Sequence, residues 1–216
     1  MRNLIPHFIQ ERYQAGNYEG AFEALTMFVD VSGFTPMTQA LMRHGYEGAE
    51  ILATVMNTIF DLLVNAVYER GGFVSTFAGD AFTAIFPFNE DVIPTNELLL
   101  QVLACVETIQ ALFRRHALQT TPYGQFALQF KVGLSQGTVT WGIVGDTTKA
   151  YFFRGEAIDG CAASEHQADK GDVIFDTSVG QRLRQIPGTT DRGRYLRAMK
   201  LDRLEGGYYR IKALPD

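Results

Sequence analysis

Apolar residues in this chain follow two periods. Leu52, Val55, Met56, Ile59, Leu63 and Val67 recur at helical spacing and predict a long helix over about 47–69. Gly71-Gly72 ends it, as glycine commonly does. Leu98, Leu99, Val102, Val106, Ile109, Leu112 and Phe113 predict a second long helix over about 96–116. Shorter apolar runs at 24–30, 73–78, 81–86, 126–134 and 138–144 have strand length. Gly79-Asp80 fits a two-residue type II′ hairpin loop, with Asp80 at the tip, and Gln136-Gly137 reads as the turn of another strand pair. The remaining expectations are an amphipathic helix at 3–14, a loop at 16–20, a helix at 157–169, a strand at 172–176, a short helix at 177–184 and a last strand at 207–212. The order β-α-β-β-α-β-β-α-β-α-β contains the β-α-β-β-α-β pattern of ferredoxin-like sheets, so the expected fold class is α+β.

A length of 216 residues with 46% apolar content suits one domain with a sizeable core. The net charge of -5 gives no general attraction to nucleic acid or anionic lipid. The run from Leu98 to Val106 is too short to cross a bilayer, and no signal-peptide pattern opens the chain, so a cytoplasmic protein without membrane insertion is expected. Cys105 and Cys161 read as two buried thiols rather than a disulfide. His7, His44, His116 and His166 show no metal spacing, and Trp141 reads as core or dimer surface.

Asp30 closes the apolar run Leu25-Thr26-Met27-Phe28-Val29, and Asp80 sits between two others. A carboxylate at the end of a buried strand is costly unless something satisfies it. Two of them, each near a glycine, suggest a site for divalent cations. After Asp30 a strand-to-helix turn is expected, with Ser32 and Thr35 as helix N-caps and Gly33 allowing close backbone approach. A helix start of this kind attracts phosphate.

These stretches together resemble a known family. Phe28-Val29-Asp30-Val31-Ser32-Gly33-Phe34-Thr35, Gly71-Gly72-Phe73-Val74 and Gly79-Asp80-Ala81 are similar to the class III nucleotidyl cyclase catalytic domain. Lys131-Val132-Gly133-Leu134-Ser135-Gln136-Gly137, Gly142-Ile143-Val144-Gly145-Asp146 and Gly155-Glu156-Ala157-Ile158-Asp159 continue the match. The resemblance covers about 22–212, after an N-terminal helix and loop at 1–21 and before a tail at 213–216 that leads to further domains if the protein is longer. It is closest to the first cyclase domain of soluble bicarbonate-responsive adenylyl cyclases and of bacterial cyclase-ATPase-repeat proteins. It implies conversion of ATP, less readily GTP, to the 3′,5′-cyclic nucleotide and pyrophosphate. It also implies two Mg²⁺ or Mn²⁺ ions on Asp30, Val31 and Asp80. Nucleotide contacts fall at Ser32, Gly33, Phe34, Thr35, Gly79 and Lys131, with Lys200 a looser candidate. The partner is a second cyclase domain, in cis or trans, or another copy of the chain.

The chain departs from the family pattern where the complementary half of the cleft is built. The base-reading lysine position is Thr76 and its partner position is Phe152. The transition-state Asn and Arg positions are Asp159 and Ala163. The positions that bind bicarbonate in its responsive relatives fall at Thr76 and Ala162, so that activation is not expected. Three readings follow: a metal-binding half that needs a complementary domain, a catalytically silent nucleotide- or metal-binding regulatory module, and a homodimer working through unusual residues such as Asp159.

Overall fold

The apolar run at 24–30 lies within a longer strand, β1 (Glu19–Ser32), in the computed structural model, which describes residues 5–88, 95–186 and 191–213. Alternate β1 side chains point to opposite faces. Leu25, Met27, Val29 and Val31 are fully buried in a core shared with α2 (Phe34–Leu41), α3 (Gly45–Tyr68) and α4 (Thr95–His116). The hairpin β2 (Phe73–Ala78) and β3 (Ala81–Pro87) is present where the Gly79-Asp80 loop predicts it. A separate small hairpin, β4 (Leu118–Thr121) with β5 (Gly124–Ala127), precedes β6 (Gln129–Val144). Then come β7 (Ala150–Arg154), α5 (Glu156–Glu165), β8 (Val173–Phe175), α6 (Thr177–Gln185), α7 (Asp191–Ala198), β9 (Lys200–Arg203) and β10 (Tyr209–Ala213). The main sheet runs β2-β3-β1-β6-β8-β10-β9, with β7 added to β6. Its β2-β3-β1-β6 half, with α3 and α4 on one face, is the ferredoxin-like core, and the fold class is α+β.

Several expectations need correction. No turn forms at Gln136-Gly137: β6 continues through it, in register with β1 from Glu19↔Gly142 to Ser32↔Gln129. Pairing along a whole neighbouring strand overrides the local turn signal, and Gly137 absorbs the distortion with a φ of 155°. The first helix, α1 (His7–Gln14), starts after Pro6, and positions 3 and 4 lie outside the described residues. The helix expected to reach 169 stops at Glu165. Within the span Phe34–Tyr68 one apolar 18-residue window, with a mean hydropathy of 1.6, meets the length and composition of a membrane-crossing helix, and only 22% of that window is buried. Ile59, Leu63, Ala66 and Val67 dock one side of α3 on the sheet, while Ile51, Leu52, Val55 and Met56 are only partly covered.

The opposite face of the sheet carries α5 and α1. Gly133 lets α5 lie directly on β6, because a Cβ there would meet the Cys161 carbonyl at 2.0 Å. Thr26 Oγ1 donates to the Ala157 carbonyl of α5 at 2.6 Å. At the other end of this face Phe8 of α1 packs against Phe22, Phe73 and Trp141, so Trp141 belongs to the fold's interior. Cys105 and Cys161 are free and buried, and burial pushes both thiols up to about 12.

Candidate functional site

Two hydrogen-bonded neighbours bring Asp30 and Asp80 to one corner. On β3 Asp30 is in register with Ala81, the residue after the hairpin tip, and on β6 it is in register with Lys131. The Val31 N–H donates to the Asp80 carbonyl at 3.0 Å, tying the tip to β1. Gly79 has a φ of 66° and, among the described residues, no non-glycine residue has a positive φ, the signs a type II′ loop requires. A Cβ on Gly79 would meet open space, so glycine serves the turn alone.

Asp30 and Asp80 are both half-buried. Burial, then the negative charges of Glu165 and Asp80, raise the Asp30 carboxyl above its ordinary pKa of 3.8, while Lys131 pulls it back. Glu165 is the residue that sequence reasoning missed. It ends α5 at 7% exposure, and its carboxylate lies 3.4 Å from the Lys131 ammonium. Lys131 therefore points to the α5 face, on the same side of the sheet as Asp30. Glu165 gives no sequence signal of its own, because its reach depends on the close seating of α5 at Gly133.

The turn after Asp30 is built differently from expectation. The N-cap of α2 is Gly33, and no side chain caps the helix. Thr35 lies inside the first turn and is exposed, and Ser32 Oγ sits 3.5 Å from the Gln129 carbonyl. Both fail as caps because β1 pairing extends through Ser32, leaving the cap position to the next residue. Gly33 has a φ of 107°, and a Cβ there would fall 2.2 Å from the Ala127 carbonyl. That close approach joins α2 to the strand leading into β6. The first turn of α2 consequently presents the Phe34 and Thr35 amides without a side-chain acceptor, and Pro36 has no amide to satisfy. The Phe34 side chain itself is core. Val31 is buried, and its N–H is taken by Asp80, so only its carbonyl remains as a donor to an ion.

The partner-half positions gather elsewhere. Thr76 and Phe152 line one cleft of about 350 Å³ with Ser75, Tyr151, Phe153 and Ile158. A bulge at Ser75 puts Thr76 opposite Thr83, on the same sheet face as Asp30. Asp159 is exposed on α5, and Ala162 and Ala163 are half-buried there. Lys200 is exposed on β9, at the far edge of the sheet from β2, and does not join the Asp30 corner.

A mixed sheet in ferredoxin-like order, with paired carboxylates beside a helix start, is the architecture of a nucleotidyl cyclase domain. The chain matches the adenylate and guanylate cyclase catalytic domain family over residues 18–203 and belongs to it. It is 31% identical over 163 residues to adenylate cyclase type 10 of Rattus norvegicus, covering 74% of this chain and 10% of that protein. The Homo sapiens protein of the same name is 29% identical over 178 residues, again with 10% of its length covered. The chain thus spans about a tenth of the length of these curated relatives. The guanylate cyclase domain of RhGC from Catenaria anguillulae, solved in complex with GTP, shares the fold with a TM-score of 0.67 at 14% identity, over 91% of this chain and 100% of that one.

Proposed function

We propose that this chain is the metal-binding half of a class III adenylate cyclase, completed by a complementary cyclase domain. The observation that carries the reading is the Asp30–Asp80 corner, where the Val31–Asp80 hydrogen bond and the β1–β3 register join two carboxylates, and burial with the charges of Glu165 and Asp80 disfavours ionisation of Asp30. Such a pair gains from a divalent cation. Among the described residues no group of three or more His, Cys, Asp or Glu side chains could cage a metal. Two carboxylates and a main-chain carbonyl instead fit Mg²⁺ or Mn²⁺ shared with substrate phosphates. Two such ions on Asp30, Asp80 and the Val31 carbonyl would polarise the attacking oxygen and neutralise the triphosphate.

The chain's own groups supply the remaining work in this reading. The first-turn amides of α2 and the Lys131 ammonium receive the triphosphate and orient it for in-line displacement. The ribose 3′-oxygen forms a bond to the α-phosphorus, its proton leaves to solvent, and the bond to the pyrophosphate oxygen breaks. ATP is favoured because the curated relatives at 29–31% identity are named adenylate cyclases. The partly covered side of α3 supports pairing, since apolar surface of that kind is normally covered. Thr76 and Phe152 carry no charge, which leaves base recognition to the partner.

Mixing the chain with a domain that carries the base-reading lysine and the transition-state arginine, with ATP and Mn²⁺, should yield cyclic AMP, and Asp30→Ala should abolish it. Mn²⁺-dependent ATP binding without product from any partner would favour a silent regulatory module. Product from the chain alone would favour a working homodimer.

A further inference from the structure

We propose that Glu165 is a positioning residue that holds Lys131 beside the Asp30 corner for the triphosphate, an inference that rests on the cyclase reading above. Lysine has a long flexible stem and a single point charge, so an unrestrained Lys131 would sample many directions. Glu165 removes that freedom. Its carboxylate lies 3.4 Å from the ammonium and is itself only 7% exposed. Its backbone is fixed, because α5 is pressed onto β6 where a Cβ on Gly133 would meet the Glu165 nitrogen at 2.4 Å. The other carboxylate oxygen lies 3.7 Å from Nδ1 of the exposed His166.

Glu165 also stands where a purely structural acid is a poor choice. It adds negative charge near Asp30, and a buried ion pair often contributes less than apolar packing of the same volume. It completes no three-residue metal cage among the described residues, so its action runs through the lysine. Lys131 keeps 28% of its side chain accessible, enough for an incoming phosphate oxygen to share the ammonium.

The test is a double-mutant cycle on the full chain, with Mn²⁺-ATP binding measured by calorimetry. Lys131→Ala should weaken binding about 10-fold or more, the usual scale for a charged hydrogen bond. Glu165→Gln should weaken it several-fold in the native background and leave it unchanged when Lys131 is already alanine. Glu165→Asp, which keeps the charge and shortens the reach, should give a smaller loss of the same kind and stands in if the glutamine variant does not fold. An equal loss in both backgrounds would mean that Glu165 acts by its charge on the carboxylate corner, and would overturn the inference alone. Failure of the unaltered chain to bind Mn²⁺-ATP would overturn the functional reading and this inference with it.

Discussion

Thr76 shares the Asp30 face of the sheet, and the Asp30–Asp80 corner and the Thr76–Phe152 cleft both draw on the β2–β3 hairpin, yet their chemistry is opposite. The corner concentrates charge: two carboxylates, a lysine and a buried glutamate. The cleft offers Thr76 and Ser75 among aromatic rings and, among the described residues, holds no charged side chain in its lining. Four residues along one hairpin thus separate a position that gathers charge from one that does without it. Under the function proposed above, with active sites divided between two domains, that asymmetry would assign this chain the ion-binding side.

The comparison breaks most sharply at Asp30. With a complementary partner, Asp30→Ala should cut cyclic nucleotide formation by about 10³-fold or more, while Thr76→Ala should change it less than about 3-fold, both read as initial rates. A smaller separation would mean that the cleft takes part directly. The reverse experiment rebuilds the missing charges. Thr76→Lys, Phe152→Asp, Asp159→Asn and Ala163→Arg together should give the chain alone a turnover at least about 10²-fold above its unaltered level, since transition-state cations are worth that much or more.

Two glycines sharpen the corner's geometry with smaller effects. Gly33→Ala should cost about 3 kcal/mol in denaturant unfolding, because the new Cβ would meet the Ala127 carbonyl at 2.2 Å and φ is 107°. Gly79→Ala meets open space at a φ of 66° and should cost only about 1–2 kcal/mol. The smallest expected effect concerns Asp30 itself. Its carboxyl titrates above its unfolded value, so the ionised form opposes folding at neutral pH. Asp30→Asn should melt higher than the unaltered protein at pH 7 without metal. That advantage should shrink as pH falls through the raised pKa and vanish below 3.8. Mn²⁺ should reverse the ranking at pH 7 by stabilising only the aspartate form.

Much of this was legible before the structure. Leu52 to Val67 and Leu98 to Phe113 show helical periods because one side of α3 and of α4 packs on the sheet. The Gly79-Asp80 loop was legible because few residues satisfy its backbone. The continuity of β6 was not, since Gln136-Gly137 carries a turn signal that only pairing with β1 overrules. Strands β7 and β9 are short and largely exposed, so they lack the apolar run that marks a strand. The Ser75 bulge, which turns Thr76 onto the face of Asp30, leaves no trace in composition. Glu165 was invisible because its meaning lies in a helix seated on Gly133, thirty-two residues earlier in the chain.

Strand β1 has one more consequence. Residues 24–30 are paired on both sides, with β3 and with β6, whereas 19–23 are paired with β6. Amides in the doubly flanked stretch can exchange with solvent only when the sheet itself comes apart. Asp30 is therefore mounted at the end of a segment held on both sides by neighbouring strands. A ligand arriving there meets a carboxylate whose backbone is already fixed, and loses little entropy in ordering it.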